Sequence, residues 1–169
     1  MPKIIQNLQS RLLQEAKRQI KEVGYAKTTV RSVAAACGVG VGTVYNYYPS
    51  KEMLIAAFML EDWQACLEQM QTGGGDALRR IYNALAAFID KHQDLFTDED
   101  AMQVFAGSVQ NKHELLRTQI AQSVAPICQN ASIENKAFLA EFIAESILRL
   151  TIERVPFEQI QAVIGLLIK

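Results

Sequence analysis

The sequence predicts an all-α protein, with an N-terminal three-helix helix-turn-helix domain followed by a C-terminal helical domain, about nine helices in all. Three observations predict it. The 169 residues include only nine Gly and four Pro, below the ~12% of average usage, so turns are few. Apolar residues recur at three- and four-residue steps through most of the chain, and no run alternates with the two-residue period of a strand. Capping residues and breakers fall between these periodic runs, where helices must start and stop.

The elements follow in order. Ile5, Leu8, Leu12, Ala16, Ile20 and Val23 lie on one face of a first helix, and Gly24 stands just past its end. Thr28 and Thr29 offer an N-cap for a helix over 30–37. Gly38-Val39-Gly40 breaks it, and a second short helix over 41–48 is closed by Pro49-Ser50. Ser50 caps a helix over 51–71, which Gly73-Gly74-Gly75 ends. Asp76 caps the next, running to about residue 93 with Leu78, Ile81, Tyr82, Leu85, Phe88 and Ile89 at helical spacing. Thr97 caps a helix over 98–110, whose opening acids Asp98, Glu99 and Asp100 suit the positive end of the helix dipole. A further helix over 112–130 is expected to bend at Pro126. Ser132 caps a long helix to about residue 154, and Pro156 opens a last one over 157–168.

Composition sets limits on function. Half the residues are hydrophobic and the net charge is -1, as in a globular chain. Cys37, Cys66 and Cys128 stand far apart, so neither a disulfide framework nor a zinc site is expected, and each reads as a small buried hydrophobe. His92 and His113 have no metal-ligand spacing with cysteines or acids and read as solvated. The start lacks the apolar core of a signal peptide, and no stretch approaches a membrane span of ~18 residues. A cytoplasmic location without cofactor or metal is expected. No P-loop, dinucleotide fingerprint or recognisable catalytic set is present, so the chain is not expected to be an enzyme. Gly73-Gly74-Gly75-Asp76 reads as a linker, because Asp76 would repel an anion at the helix start.

The near-zero charge hides an asymmetry. Residues 1–52 carry eight Lys and Arg against three Glu, whereas 53–169 carry nine against fifteen acids. A basic first third on an acidic body suits a nucleic-acid reader with an appended domain, although a solvated basic helix face has the same composition. The division expected is 1–52 for the nucleic-acid reader and 53–169 for the appended helical domain.

Two short helices joined by Gly38-Val39-Gly40 match the helix-turn-helix arrangement. Val33, Val44 and Tyr48 supply a small core against Leu12, Ala16 and Ile20. The second helix is left to present Val41, Gly42, Thr43, Tyr45, Asn46 and Tyr47, a set that fits a major groove.

These residues carry a resemblance. Gly24-Tyr25, Thr28-Thr29-Val30-Arg31, Val33-Ala34, Cys37-Gly38-Val39, Gly42-Thr43-Val44-Tyr45-Asn46-Tyr47-Tyr48 and Ser50-Lys51-Glu52-Met53-Leu54 resemble the TetR/AcrR family of bacterial transcriptional regulators over residues 10–55. The resemblance implies that Thr43, Tyr47 and Lys51 contact phosphates. Tyr45 and the Gly42 backbone are placed for base edges, and Val41 for a thymine methyl. Arg31 reaches a guanine or a phosphate, Thr29 caps its helix and touches the DNA backbone, and Asn46 lies on the same face. Three departures put rigidity in doubt: Gly40 for the usual capping Ser, Ser32 where an acid often completes a capping box, and Gln19 for an apolar residue.

The resemblance also implies a homodimer on a palindromic operator, with half-sites ~34–36 Å or a multiple apart, and a small-molecule inducer. Phe138, Phe142, Ile143, Ile147 and Leu150, with Ile160, Ile164 and Leu167, make apolar sides broader than one core needs and are the expected dimer surface. Trp63, Met70, Tyr82, Phe88, His92, Met102 and Phe105 are the candidate pocket walls, each equally readable as plain core. A repressor is the reading carried forward. The alternative is a helical protein-interaction module that reuses the helix-turn-helix without sequence-specific DNA binding.

Overall fold

The computed structural model describes residues 7–72 and 74–168, with the backbone alone for 102–113. The described residues form nine α-helices: α1 Leu8–Lys27, α2 Val30–Ala36, α3 Val41–Tyr47, α4 Lys51–Gln71, α5 Ala77–Lys91, α6 Gln93–Thr97, α7 Glu99–Val124, α8 Lys136–Ile152 and α9 Phe157–Leu167. A 3-10 turn, Ala125–Cys128, follows α7. None of the helices is long and apolar enough, over its described residues, to cross a membrane.

The second, third and fourth helices fall within a residue of their expected bounds, because each has a strong stop, whereas α1, expected to stop at Gly24, continues to Lys27, and Ile5 lies outside the described residues. Gly24 takes φ 83, ψ 169 and breaks α1 before its last three residues, a conformation open to glycine. Thr28 then folds back, its N–H and hydroxyl both donating to the Gly24 carbonyl. Gly38 takes φ 68 in the turn between α2 and α3.

Downstream the expectations need correction. The helix expected to reach residue 93 ends at Lys91, and α6 is a separate short element. The two helices expected over 98–110 and 112–130 are one, since no Gly or Pro interrupts the segment after Gly107 until Pro126. Asp98, not Thr97, caps α7: its carboxylate accepts the Ala101 N–H at 3.0 Å, while the Thr97 hydroxyl donates to the Gln93 carbonyl. Pro126 ends α7 rather than bending it, and sits in the first turn of the 3-10 segment, where its missing N–H costs least. Asn135, not Ser132, caps α8, accepting the Phe138 N–H at 3.0 Å.

The chain divides into two compact units, each with its own core. One comprises Met1–Asp62 and His92–Gly107; the other comprises Trp63–Lys91 and Ser108–Lys169. The boundary expected at residue 52 coincides with the start of α4, but the first unit also takes in the first half of that helix and a segment around α6. Its core joins Leu12, Leu13, Ala16 and Ile20 of α1 to Val33, Ala34, Val44, Tyr48, Ile55 and Phe58. At about 1.5–3 kcal/mol for each fully buried aliphatic or aromatic side chain, this core holds the two seven-residue helices, which are too short to persist alone. In the second unit, Leu78, Ile81 and Leu85 of α5 pack with Ile143 and Ile147 of α8 and with Ile160 and Ile164 of α9.

All three cysteines are buried and unpaired. Burial raises the thiol pKa of each, that of Cys66 to about 12. Thiolate is the reactive form, so native protein at neutral pH should resist alkylation by iodoacetamide at all three. Labelling should begin only on unfolding; rapid native labelling, read by mass spectrometry, would refute this.

Candidate nucleic-acid interface

The interface is built on α2 and α3, and its rigidity begins in α1. Thr29 caps α2 by accepting the Ser32 N–H at 3.0 Å, and Ser32 Oγ accepts the Thr29 N–H at 3.0 Å. The capping box is therefore complete, with Ser32 in place of the acid. Ser32 Oγ also lies 2.5 Å from Gln19 Oε1, and the nearly buried Gln19 donates from Nε2 to Glu15 at 2.7 Å. Two departures that seemed to loosen the domain thus compensate each other. A buried amide on α1 anchors the serine that caps α2. Gln19→Leu should cost about 1 kcal/mol in thermal unfolding, the worth of a cap and its support.

At its other end α2 is held by Arg11, whose Nη2 donates to the Cys37 carbonyl at 3.0 Å. A cation at the C-terminal end of a helix matches both its unsatisfied carbonyls and its dipole. Val44 of α3 is fully buried and Tyr48 nearly so, which fixes the rotation of α3. Tyr45 and Tyr47 are then 49% and 47% exposed. Gly42, Asn46 and Arg31 are exposed and Thr43 is half-buried, whereas Val41 is half-buried and packs against the core beside Val44 and Tyr48. From Thr28 to Ser50 there is no acid, and Arg31 is the only full charge. This surface offers hydroxyls, an amide, an arginine and small apolar groups, with nothing to repel a phosphate.

Gly40 stands at the N-cap of α3 with no side-chain cap. Its φ of −71° suits any residue, and an added Cβ would meet only Thr43 Oγ1, at 3.8 Å. Gly40→Ser should therefore stabilise the domain by a few tenths of a kcal/mol, checked by thermal melting; a loss would show that the turn cannot accept a side chain.

Lys51, the expected phosphate clamp, already has partners within its own chain. It is half-buried, its Nζ donates to the Tyr25 carbonyl, and it sits 3.5 Å from the centre of the Tyr25 ring. Burial lowers its pKa below the ordinary lysine range. The Tyr25 hydroxyl donates to Glu52 Oε1 at 3.3 Å, and burial and then Glu52 raise the phenol to about 12. The start of α4 is thereby pinned to the end of α1. Sequence reasoning missed Tyr25 in this role, although its place after Gly24 was visible.

A second cluster in the same unit was also missed. Asp62 of α4 accepts from Lys17 Nζ at 2.8 Å and lies 3.1 Å from His92 Nε2. His92 is buried, not solvated as expected, and stacks on Phe58 at 6.0 Å between ring centres. Nothing in sequence spacing connects residues 17, 62 and 92. The His113 side chain lies outside the described residues.

The candidate pocket walls whose side chains are described fall in the two different units. Trp63 is buried in the second unit, donates from Nε1 to Gln119 at 2.7 Å and meets Phe88 edge-on. Met70 is buried in the same core, and the Tyr82 hydroxyl donates to the Val155 carbonyl at 3.0 Å. His92 belongs to the first unit, while the side chains of Met102 and Phe105 lie outside the described residues. Surface hollows occur elsewhere among the described residues. One of about 340 Å³ is lined by Ile20, Lys21, Gly24, Asp94, Thr97 and Asp98. Another, of about 240 Å³, is lined by Glu145, Leu148, Arg149, Ile152 and Glu153. No candidate pocket residue lines either one.

The expected dimer residues separate by burial. Ile143, Ile147, Ile160 and Ile164 lie in the core of their own chain, out of reach of a partner, because their helices turn these faces toward α5. Phe138 and Phe142 are exposed, and Leu150 and Leu167 are half-buried. Ile152, Val163 and Leu166 of the same two helices are exposed as well.

Residues 12–58 match the family described as bacterial regulatory proteins, tetR family. The HTH-type transcriptional regulator UidR of Escherichia coli (strain K12) is 29% identical over 66 residues, which are 39% of this chain and 34% of that relative. The match thus spans about a third of the relative's length. Whole-chain likeness is one of fold. A TetR-family transcriptional regulator from Rhodococcus sp. superimposes with a TM-score of 0.66 at 15% identity, covering 95% of this chain and 98% of that one. Another from Streptomyces coelicolor gives 0.62 at 16% identity, covering 94% and 98%.

Proposed function

We propose that this chain, whose residues 12–58 carry the helix-turn-helix of the tetR family of bacterial regulators, is a sequence-specific DNA-binding transcriptional regulator. It acts as a homodimeric repressor on a palindromic operator and releases it on binding a small molecule. The observation that carries the reading is the surface of α3. A seven-residue helix fixed by buried Val44 holds Tyr45, Asn46 and Tyr47 outward, beside Arg31, in a stretch without acids.

Each side chain has a role set by its chemistry. The Thr43 hydroxyl and Tyr47 phenol hydrogen-bond phosphates and so fix register. Tyr45, the Gly42 backbone and Val41 meet base edges, and Asn46 and Arg31 reach the groove beside them. Thr29 adds a backbone contact, and Lys51 neutralises a phosphate from the start of α4. The basic first third is drawn to DNA while the acidic remainder is repelled, which favours one docking orientation. Two recognition helices are needed because one covers few base pairs, and the exposed apolar side of α8 and α9 supplies the contact between copies. A small molecule acts as inducer by binding one spacing of the two recognition helices better than the other.

The test is selection from random duplexes at one fixed salt concentration. A palindrome enriched by the full chain supports the reading. Binding to all duplexes alike, or to none, favours a helical interaction module instead.

A further inference from the structure

The outer face of α8 carries a pattern that the apolar reading of the dimer does not use. Phe138, Phe142, Glu145, Arg149 and Ile152 recur at steps of four, three, four and three residues. At 100° per residue they lie within about 80° of arc, opposite the side that packs in the core. Phe138, Phe142 and Ile152 are 62%, 49% and 56% exposed. Between them stand one acid and one base, a single helical turn apart.

The two charges are unequally satisfied. Arg149 Nε donates to Glu153 Oε1 at 3.1 Å, a surface pair with guanidinium donors to spare. Glu145 is half-buried, and its Oε2 is shut off from solvent without a hydrogen-bond partner among the described residues. The hollow of about 240 Å³ opens beside these same residues, Glu145, Arg149, Ile152 and Glu153 among them.

We infer that the partner for this face is a second copy of the chain, and that Glu145 of each protomer pairs with the partner subunit's Arg149. This rests on the dimer reading above and goes further by fixing the register. A two-fold axis makes the interface self-complementary. With the two α8 helices antiparallel and the axis between residues 145 and 149, two ion pairs form and each Phe142 meets the partner's Ile152. A parallel pairing sets Glu145 against Glu145 and Arg149 against Arg149. Centring the stripe on residue 145 also opposes two carboxylates. Charge thus selects one arrangement from several that bury similar apolar surface.

The test is the mass of the full chain in solution by sedimentation, with far-UV circular dichroism to show that each variant is folded. Glu145→Arg alone and Arg149→Glu alone should each weaken dimerisation by at least about tenfold, since each creates two like-charge contacts. Mixing these two variants should restore a dimer, because every contact in the mixed pair is again of opposite charge. The double variant E145R/R149E should dimerise by itself. Phe142→Asp should give a monomer. If the charge variants remain dimeric while Phe142→Asp is monomeric, the pairing is wrong and the dimer face stands. If mixing fails to restore a dimer, the pairing is likewise wrong. If Phe142→Asp also stays dimeric, or the parent is a monomer, the dimer face itself is wrong.

Discussion

Asp62→Ala should destabilise the protein by about 3 kcal/mol and lower Tm by roughly 6–12 °C. The carboxylate is 9% exposed and faces two cationic or protonatable partners, Lys17 at 2.8 Å and His92 at 3.1 Å. The two respond differently to its loss. The Lys17 side chain is 28% exposed, so its ammonium can turn to water at small cost. His92 is 4% exposed and held by its stacking on Phe58, so it must stay in place without the acid. Asp62→Asn keeps a hydrogen-bond acceptor and should cost about half as much. A melting curve for Asp62→Ala within a degree of the parent would show that the cluster adds nothing to stability.

The second large effect is that of Lys51→Ala on DNA binding. The ammonium already serves the Tyr25 carbonyl and ring, and with three donors it can serve a phosphate too. Losing the Tyr25 tie should lower stability by about 1 kcal/mol. Losing a phosphate contact should reduce the slope of log K against log salt by about 0.9 in each protomer, with base preference unchanged. The two roles separate in one experiment. A fall in stability with an unaltered salt slope would assign Lys51 to the α1–α4 joint alone.

The legible part of the molecule was the part written locally. Gly24 breaks α1, the Gly38-Val39-Gly40 turn and Pro49 bound the helices that follow, and the burial of Val44 and Tyr48 followed from their spacing. The misplaced elements lie where two residues competed for one cap, Thr97 against Asp98 and Ser132 against Asn135. Propensity does not separate such pairs, because which one caps depends on where the helix packs. The dimer surface was overstated for a related reason. Ile143 and Ile160 look alike in sequence whether they face α5 or a partner, and only the rotation of α8 and α9 decides. Gln19 was misjudged because its partner, Ser32, stands thirteen residues away on another helix. The Lys17–Asp62–His92 cluster joins three distant segments and has no local signature at all.

The central claim is that the exposed face of α3, with Arg31 beside it, reads DNA sequence. Its most direct test is the affinity of the parent and of Arg31→Ala and Tyr45→Ala for the selected palindrome and for each single-base-pair change in it, at one salt concentration. These two variants should lose discrimination of ~1–3 kcal/mol at the base pair that each contacts and keep the parental profile elsewhere. Parental affinity and parental discrimination at every position in both variants would contradict it.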